Sequence, residues 1–175
     1  MKYIKIQENN YKRRLIRIKG YDYSRKGIYF ITIGTQNRKE ILSSVGAGPV
    51  SAQKIELTYI GKIIQDVYIN LEKEFKNIKL HNYIIMPNHI HGIIEIKRAD
   101  TGPAPTLGDI ICSFKTRTTV YIIKEIKEGK IEAFDKRLWQ RNYYEHVIRN
   151  EKEYWQIYEY IENNPLNWNK DECYG

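Results

Sequence analysis

The sequence predicts an α+β fold: four strands in one antiparallel sheet, two helices on one face of it, and a further helix after the last strand. Three observations carry this. β-Branched and aromatic runs of strand length alternate with longer stretches whose apolar residues recur three and four positions apart. The most apolar segment, Tyr83 to Ile96, breaks once, at the turn dipeptide Pro87-Asn88, and reads as a mid-sheet hairpin. The order of the pieces is strand, helix, strand, strand, helix, strand, helix.

Residues 1–27 form a basic N-terminal arm that includes Lys12, Arg13, Arg14, Arg17, Arg25 and Lys26. The remainder, 28–175, reads as a single domain, because 175 residues suit one core. Ile28 to Ile33 is the first strand, and residues 34–48 look like a loop. Ser51 is placed to cap a helix over about 52–76, with Ile60, Ile63, Ile64, Val67, Leu71 and Phe75 as its stripe. The hairpin strands follow near 79–86 and 89–96. Thr106 and Asp109 resemble a capping box for a second helix to about Lys127, with Ile110, Ile111, Phe114 and Ile122 inward. Asn142 to Ile148 is the last strand. Asn150 with Glu153 caps a final helix that runs to Asn163 or Asn164 and stops at Pro165. The βαββαβ run is the ferredoxin-like split motif, with the final helix as an addition.

Lys+Arg 29 against Asp+Glu 21 gives a net charge of +8, which favours a polyanionic partner, nucleic acid first. The candidate contacts are Arg13, Arg14 and Arg25 on the arm, Lys115 and Arg117 in the second helix, and Arg141 and Arg149 flanking the last strand. Thr116, Thr118 and Thr119 are extra donors on the same helix. A solvated helix face or ion pairs with nearby Glu are the alternatives. Cys112 and Cys173 lack metal-type spacing, so a reducing cytoplasm is expected. No apolar run approaches the roughly 18 residues of a membrane span, and no signal peptide is seen.

His89 and His91 are two apart on a strand, so they share a face, with Ile90 on the other. Two neutral imidazoles so placed can hold one divalent metal. The alternative is two unrelated polar residues at a strand end. The final helix has the stripe Tyr154, Ile157, Tyr158 and Ile161, and Tyr160 falls roughly 110° from its centre. Asn164 is one turn further on the same edge. A phenol is a nucleophile suited to phosphodiester transesterification, because a phosphotyrosine link keeps the broken bond recoverable. A metal on two His and one amide or carboxylate leaves positions open for phosphate oxygens, and such ligands admit Mg²⁺ or Mn²⁺.

The chain resembles the HUH single-tyrosine (IS200-like) transposases, and among them the REP-associated tyrosine transposases. The residues that carry the resemblance are Gly20-Tyr21-Asp22-Tyr23-Ser24, Met86-Pro87-Asn88-His89-Ile90-His91, Leu138 to Asn150, and Glu159-Tyr160-Ile161-Glu162-Asn163-Asn164-Pro165. It spans about residues 12 to 168. It implies a palm whose His89 and His91 hold the catalytic metal, with Asn164 at the position of the third ligand. It implies Tyr160 as the nucleophile that takes the 5′ phosphate of cleaved single-stranded DNA. Hairpin-bearing single strands are the implied partner, the unit a monomer or a homodimer exchanging the tyrosine helix, and the setting a bacterial cytoplasm at the nucleoid.

Tyr143 and Tyr144 are rival nucleophiles, and His146 is a rival third ligand. Glu95 shares the parity of the His pair but lies about 13 Å from His91 along the strand, too far to join it. Glu162 is either a proton-handling group or a surface residue. Beside the tyrosine enzyme stand two other readings: a non-catalytic hairpin binder, and a metal-dependent nuclease that uses water.

Overall fold

The structure is a computed structural model, and it describes residues 26–46, 54–97, 105–134 and 137–170. Ser51, Cys173 and the arm residues Arg13, Arg14 and Arg25 lie outside the described residues. The elements in chain order are β1 (Gly27–Gly34), β2 (Ser43–Val45), β3 (Ile55–Leu57), α1 (Tyr59–Ile69), α2 (Leu71–Glu74), β4 (Ile78–Ile85), β5 (His89–Ile96), α3 (Leu107–Lys127), β6 (Tyr144–Ile148) and α4 (Glu151–Glu162). Short 3₁₀ segments occur at Gln36–Arg38 and Pro165–Lys170.

The main sheet has the order β4-β5-β1-β6, antiparallel throughout. That is the βαββαβ arrangement expected from the sequence, with the second hairpin strand inserted beside β1. Alternation divides the strands between two cores. Tyr29, Ile31, Ile33, Ile90 and Ile94 face α1 and α3, where they meet Ile64, Val67, Tyr68, Ile110, Phe114 and Ile122. Phe30, Ile93 and Ile148 face the other way, under Ile157 and Ile161 of α4. The added helix therefore roofs the face that α1 and α3 leave open, and this is the face of His89 and His91.

The helix expected over 52–76 is shorter and broken. Residues 55–57 are a strand that pairs with β2, with Ser43 opposite Leu57. The cap is Thr58 instead of Ser51: its hydroxyl accepts from Gly61 N–H at 3.0 Å and donates to Ile41 O at 2.7 Å. The helix ends at Ile69, and Asn70 separates it from the single turn of α2. α3 has the expected bounds, and both bonds of the Thr106–Asp109 capping box form. On α3, Thr118 is fully buried, donates to Phe114 O and accepts from Trp139 Nε1 at 2.9 Å. It is a core bond, so the expectation of a free donor there does not hold.

A Cβ on Gly61 would stand 1.9 Å from Leu42 O, and that oxygen accepts from Thr58 N–H. The first turn of α1 thus packs directly on backbone that cannot yield. Gly61→Ala should cost at least about 2 kcal/mol, at the upper part of the overpacking range. The check is the urea midpoint; an unchanged midpoint would show that the Leu42 segment relaxes freely.

Candidate active site

The site is built on the start of β5, between β4 and β1. His89 and His91 are 1% and 2% exposed. Their Nε2 atoms converge to 3.0 Å. Each ring is oriented from its far side. His89 Nδ1 donates to Asn88 Oδ1 at 2.7 Å, and His91 Nδ1 lies 2.9 Å from Thr32 Oγ1 on the neighbouring strand. With Nδ1 so engaged, Nε2 is the nitrogen turned toward the partner ring. Burial, reinforced by His89, drives the His91 pKa well below its ordinary value, so the ring is neutral, as a metal ligand must be. Two octahedral ligands about 2.1 Å from one ion and at right angles stand about 3.0 Å apart, so the pair fits a hard divalent cation.

α4 brings Tyr160 to this pair. Its Oη is 3.3 Å from His91 Nε2, and its ring meets His91 and Phe30 edge-on at centroid distances of 5.2 and 6.0 Å. The side chain is 44% exposed, so the phenol touches the site and still faces solvent. Four and eight residues on come Asn164 and Trp168. Trp168 packs against His89 at 6.0 Å between centroids. Asn164, 2% exposed with its carboxamide oxygen sheltered, is bracketed by Tyr160 at one histidine and Trp168 at the other. No three His, Cys, Asp or Glu side chains converge among the described residues. Among the described residues, Asn164 carries a neutral oxygen of the kind a third ligand could supply.

Both edges of the sheet tether α4. A register irregularity in β4 between Leu80 and Tyr83 lets two consecutive residues address the helix. His81 Nδ1 lies 3.0 Å from Tyr154 Oη and its Nε2 3.1 Å from Glu95, while Asn82 Nδ2 donates to Glu162 at 2.9 Å. At the other edge Glu153 accepts from Arg149 N–H and from His146 Nε2, each at 2.7 Å. His146, the rival third ligand, thus has a carboxylate partner. Glu162 is exposed and holds Asn82; Glu95 is engaged by His81.

The rival tyrosines stand beside the His pair, where both line a recess together with His89. Tyr143 packs against the α1/α3 core, and Tyr144 meets Phe30 edge-on at 6.2 Å. Among the described residues, the cations expected on DNA are engaged in different ways. Lys115 Nζ donates to Gln140 O at 2.9 Å and Asn142 O at 3.0 Å, and burial lowers its pKa to about 8. Arg117 pairs with Glu74. Arg141 is exposed beside Lys115, and Arg149 lies at the turn into α4. Thr32, Asn88 and Trp168 escaped the sequence reading; only the adjacency of Asn88 to His89 was a signal.

A family model described as "Transposase IS200 like" matches residues 52–164. An uncharacterized protein of Haemophilus influenzae is 37% identical over 179 residues, covering 93% of either chain. The REP-associated tyrosine transposase of Escherichia coli is 24% identical over 145 residues, 82% of this chain and 69% of that one. Among solved structures, a REP-associated tyrosine transposase bound to a REP hairpin superposes with a TM-score of 0.58 and 19% identity, over 87% of this chain and 74% of that one. Its likeness is one of fold.

Two outcomes follow from the geometry. Thr32→Val removes the hydroxyl at His91 Nδ1 without changing shape, and should weaken Mn²⁺ binding, read by calorimetry, about 10- to 100-fold; equal affinity would show that Thr32 does not orient the ring. The Glu153 carboxyl lies below its ordinary pKa, held there foremost by Arg149 N–H and then by His146. Its contribution is therefore present above the ordinary carboxylate pKa and is lost as pH falls through the lowered value. Glu153→Gln should flatten that acid limb in urea midpoints taken across pH; an unaltered limb would assign it to other carboxylates.

Proposed function

This chain belongs to the IS200-like transposase family, and on that premise we propose that it is a metal-dependent single-strand DNA transesterase that cleaves and rejoins hairpin-bearing strands through a 5′-phosphotyrosine. The observation that carries this reading is Tyr160 Oη at 3.3 Å from His91 Nε2, whose neighbour His89 Nε2 converges to 3.0 Å. A non-catalytic hairpin binder has no need of a half-exposed phenol poised over two buried imidazoles.

His89, His91 and Asn164 would hold the ion, Mg²⁺ or Mn²⁺. When bound, it supplies positive charge against which a phosphate can be oriented and its developing charge neutralised. Tyr160 acts as the nucleophile: its oxygen bonds to phosphorus, the P–O3′ bond breaks, and the departing oxygen ends as a 3′-OH. The 5′ phosphate stays on Tyr160. Attack by a 3′-OH on that link reverses each bond change and rejoins the strand. Phe30 and the α4 tethers keep the phenol from swinging away, which converts part of the cost of orientation into folding.

Tyr160 reaches the histidines of its own chain, which supports a monomer as the working unit. A homodimer exchanging the tyrosine helix would first have to release α4 from His81, Asn82 and the apolar roof. Arg141 and Arg149, both exposed, are assigned to strand phosphates together with Arg13, Arg14 and Arg25 of the arm. Lys115 and Arg117 have a weaker claim, since their heads are already engaged. Among the described residues no helix is long and apolar enough to cross a membrane.

The test is labelled hairpin-bearing single-stranded DNA incubated with Mn²⁺ and run on a denaturing gel. Wild type should give a covalent protein–DNA band, and Tyr160→Phe should lose it altogether while still shifting DNA on a native gel. Cutting retained by Tyr160→Phe would move the reading to hydrolysis by water. Binding with no cutting by wild type on any hairpin would leave a hairpin-binding protein.

A further inference from the structure

Beside His89 the surface folds into a recess of about 220 Å³. We infer that this recess, lined by Arg38, Asn88, Gln140, Asn142 and Tyr144, takes one unpaired nucleobase adjoining the phosphate at the His pair, and so decides where a strand is cut. The inference rests on the reading of the chain as a single-strand DNA enzyme, and extends it to a residue-level determinant of the cleavage position.

The lining is chemically unlike a pocket for an apolar ligand. It has three carboxamides, one guanidinium, three hydroxyl-bearing side chains, the imidazole of His89 and no aliphatic side chain. Carboxamides both donate and accept, and a guanidinium donates in a fixed fork, which is the set that reads base edges. Tyr144 is 38% exposed and offers a ring on which an unpaired base can lie. No carboxylate lines the recess, so nothing there repels the phosphates on either side of the base. His89 belongs to the recess wall and to the His pair at once, so a strand whose phosphate reaches the pair brings a neighbouring nucleoside to the recess.

The walls are held from behind. Gln140 N–H donates to Gly34 O at 2.9 Å, and Gln36 N–H to Leu138 O at 2.8 Å, which fastens residues 138–140 to the end of β1. The Gln140 carboxamide lies close over Gly34, where a Cβ would come within 3.2 Å of it. Lys115 spans the turn between the two amides, bonding Gln140 O and Asn142 O. On the opposite wall Asn37 and Arg38 both adopt positive φ, 56° and 52°. Arg38 pays backbone strain that a glycine would not. The turn that holds it is tied to the site itself: Thr35 N–H and Oγ1 both donate to Asn88 O, at 2.9 and 3.0 Å. A half-buried lysine bonded to the carbonyls of two lining residues, and a lining arginine held in a left-handed turn, are costs borne around this recess.

The experiment is a selection on binding, so it does not depend on cleavage. Full-length protein is mixed with a DNA hairpin carrying randomised single-stranded 5′ and 3′ flanks, and bound strands are sequenced. Wild type should enrich one base at one flank position by roughly tenfold or more, the scale of one good set of base-edge bonds. Gln140→Ala and Asn142→Ala should lose that enrichment, while selection at other positions persists and reports a folded protein. Gln140→Glu, which replaces a donor by an acceptor, should change which base is enriched. Unchanged enrichment in all three variants, or no base preference in wild type, would overturn the inference. A wild type that selects a base yet forms no covalent band would overturn the catalytic reading and leave the recess standing.

Discussion

The convergence of two imidazoles on one buried strand face is the constraint from which the site geometry follows. Polar rings this far from water are costly unless their nitrogens are engaged. Asn88 in the hairpin turn and Thr32 on β1 supply the outer bonds, so Nε2 of each ring is aimed inward. Both supports exist only because β5 is an interior strand: β1 carries Thr32 opposite His91, and the turn into β5 places Asn88 beside His89. The stacking of Phe30 on His91, at 5.3 Å between centroids, completes the lid on that side.

The opposite face of the sheet explains why this strand can be relied on. There the apolar residues of β1 and β5 are clamped by α1 and α3, and backbone contacts such as Gly61 against Leu42 leave no slack. Rigidity on that face is converted into precision on the other. Gly92, opposite the site, lies against Tyr68: a Cβ there would come 2.3 Å from its hydroxyl oxygen.

α4 joins these two requirements. Its apolar residues Ile157 and Ile161 close the second core, while its polar bonds go to β4 at one edge and to β6 at the other. Tyr160 is left off the apolar stripe, which is why it is both touching His91 and open to a substrate. The basic charge of the chain is distributed differently from what a count suggests. Some cations are structural: Lys115 braces a turn and Arg117 holds α2. Net charge therefore states an affinity for polyanions without stating which cations meet them.

The sequence by itself determined the strand and helix order, the shared face of His89 and His91, and the displacement of Tyr160 from its helix stripe. Each follows from a local period, two residues in a strand or 3.6 in a helix. It also showed the caps at Thr106 and Asn150, which are encoded within four residues. It misplaced the start of α1, because Ile55 to Leu57 joins β2 through a pairing across intervening residues that no local pattern announces. Only the tertiary structure decided that α4 lies over the His pair, that His146 answers Glu153, and that His81 and Asn82 both turn toward the helix at an irregularity in β4. Lys115 is the clearest case: its helix position was legible, but whether its ammonium met solvent, DNA or two backbone carbonyls depended on a segment 25 residues later folding back across α3. Periodicity sets which way a side chain points; what it meets there depends on chain distant in sequence.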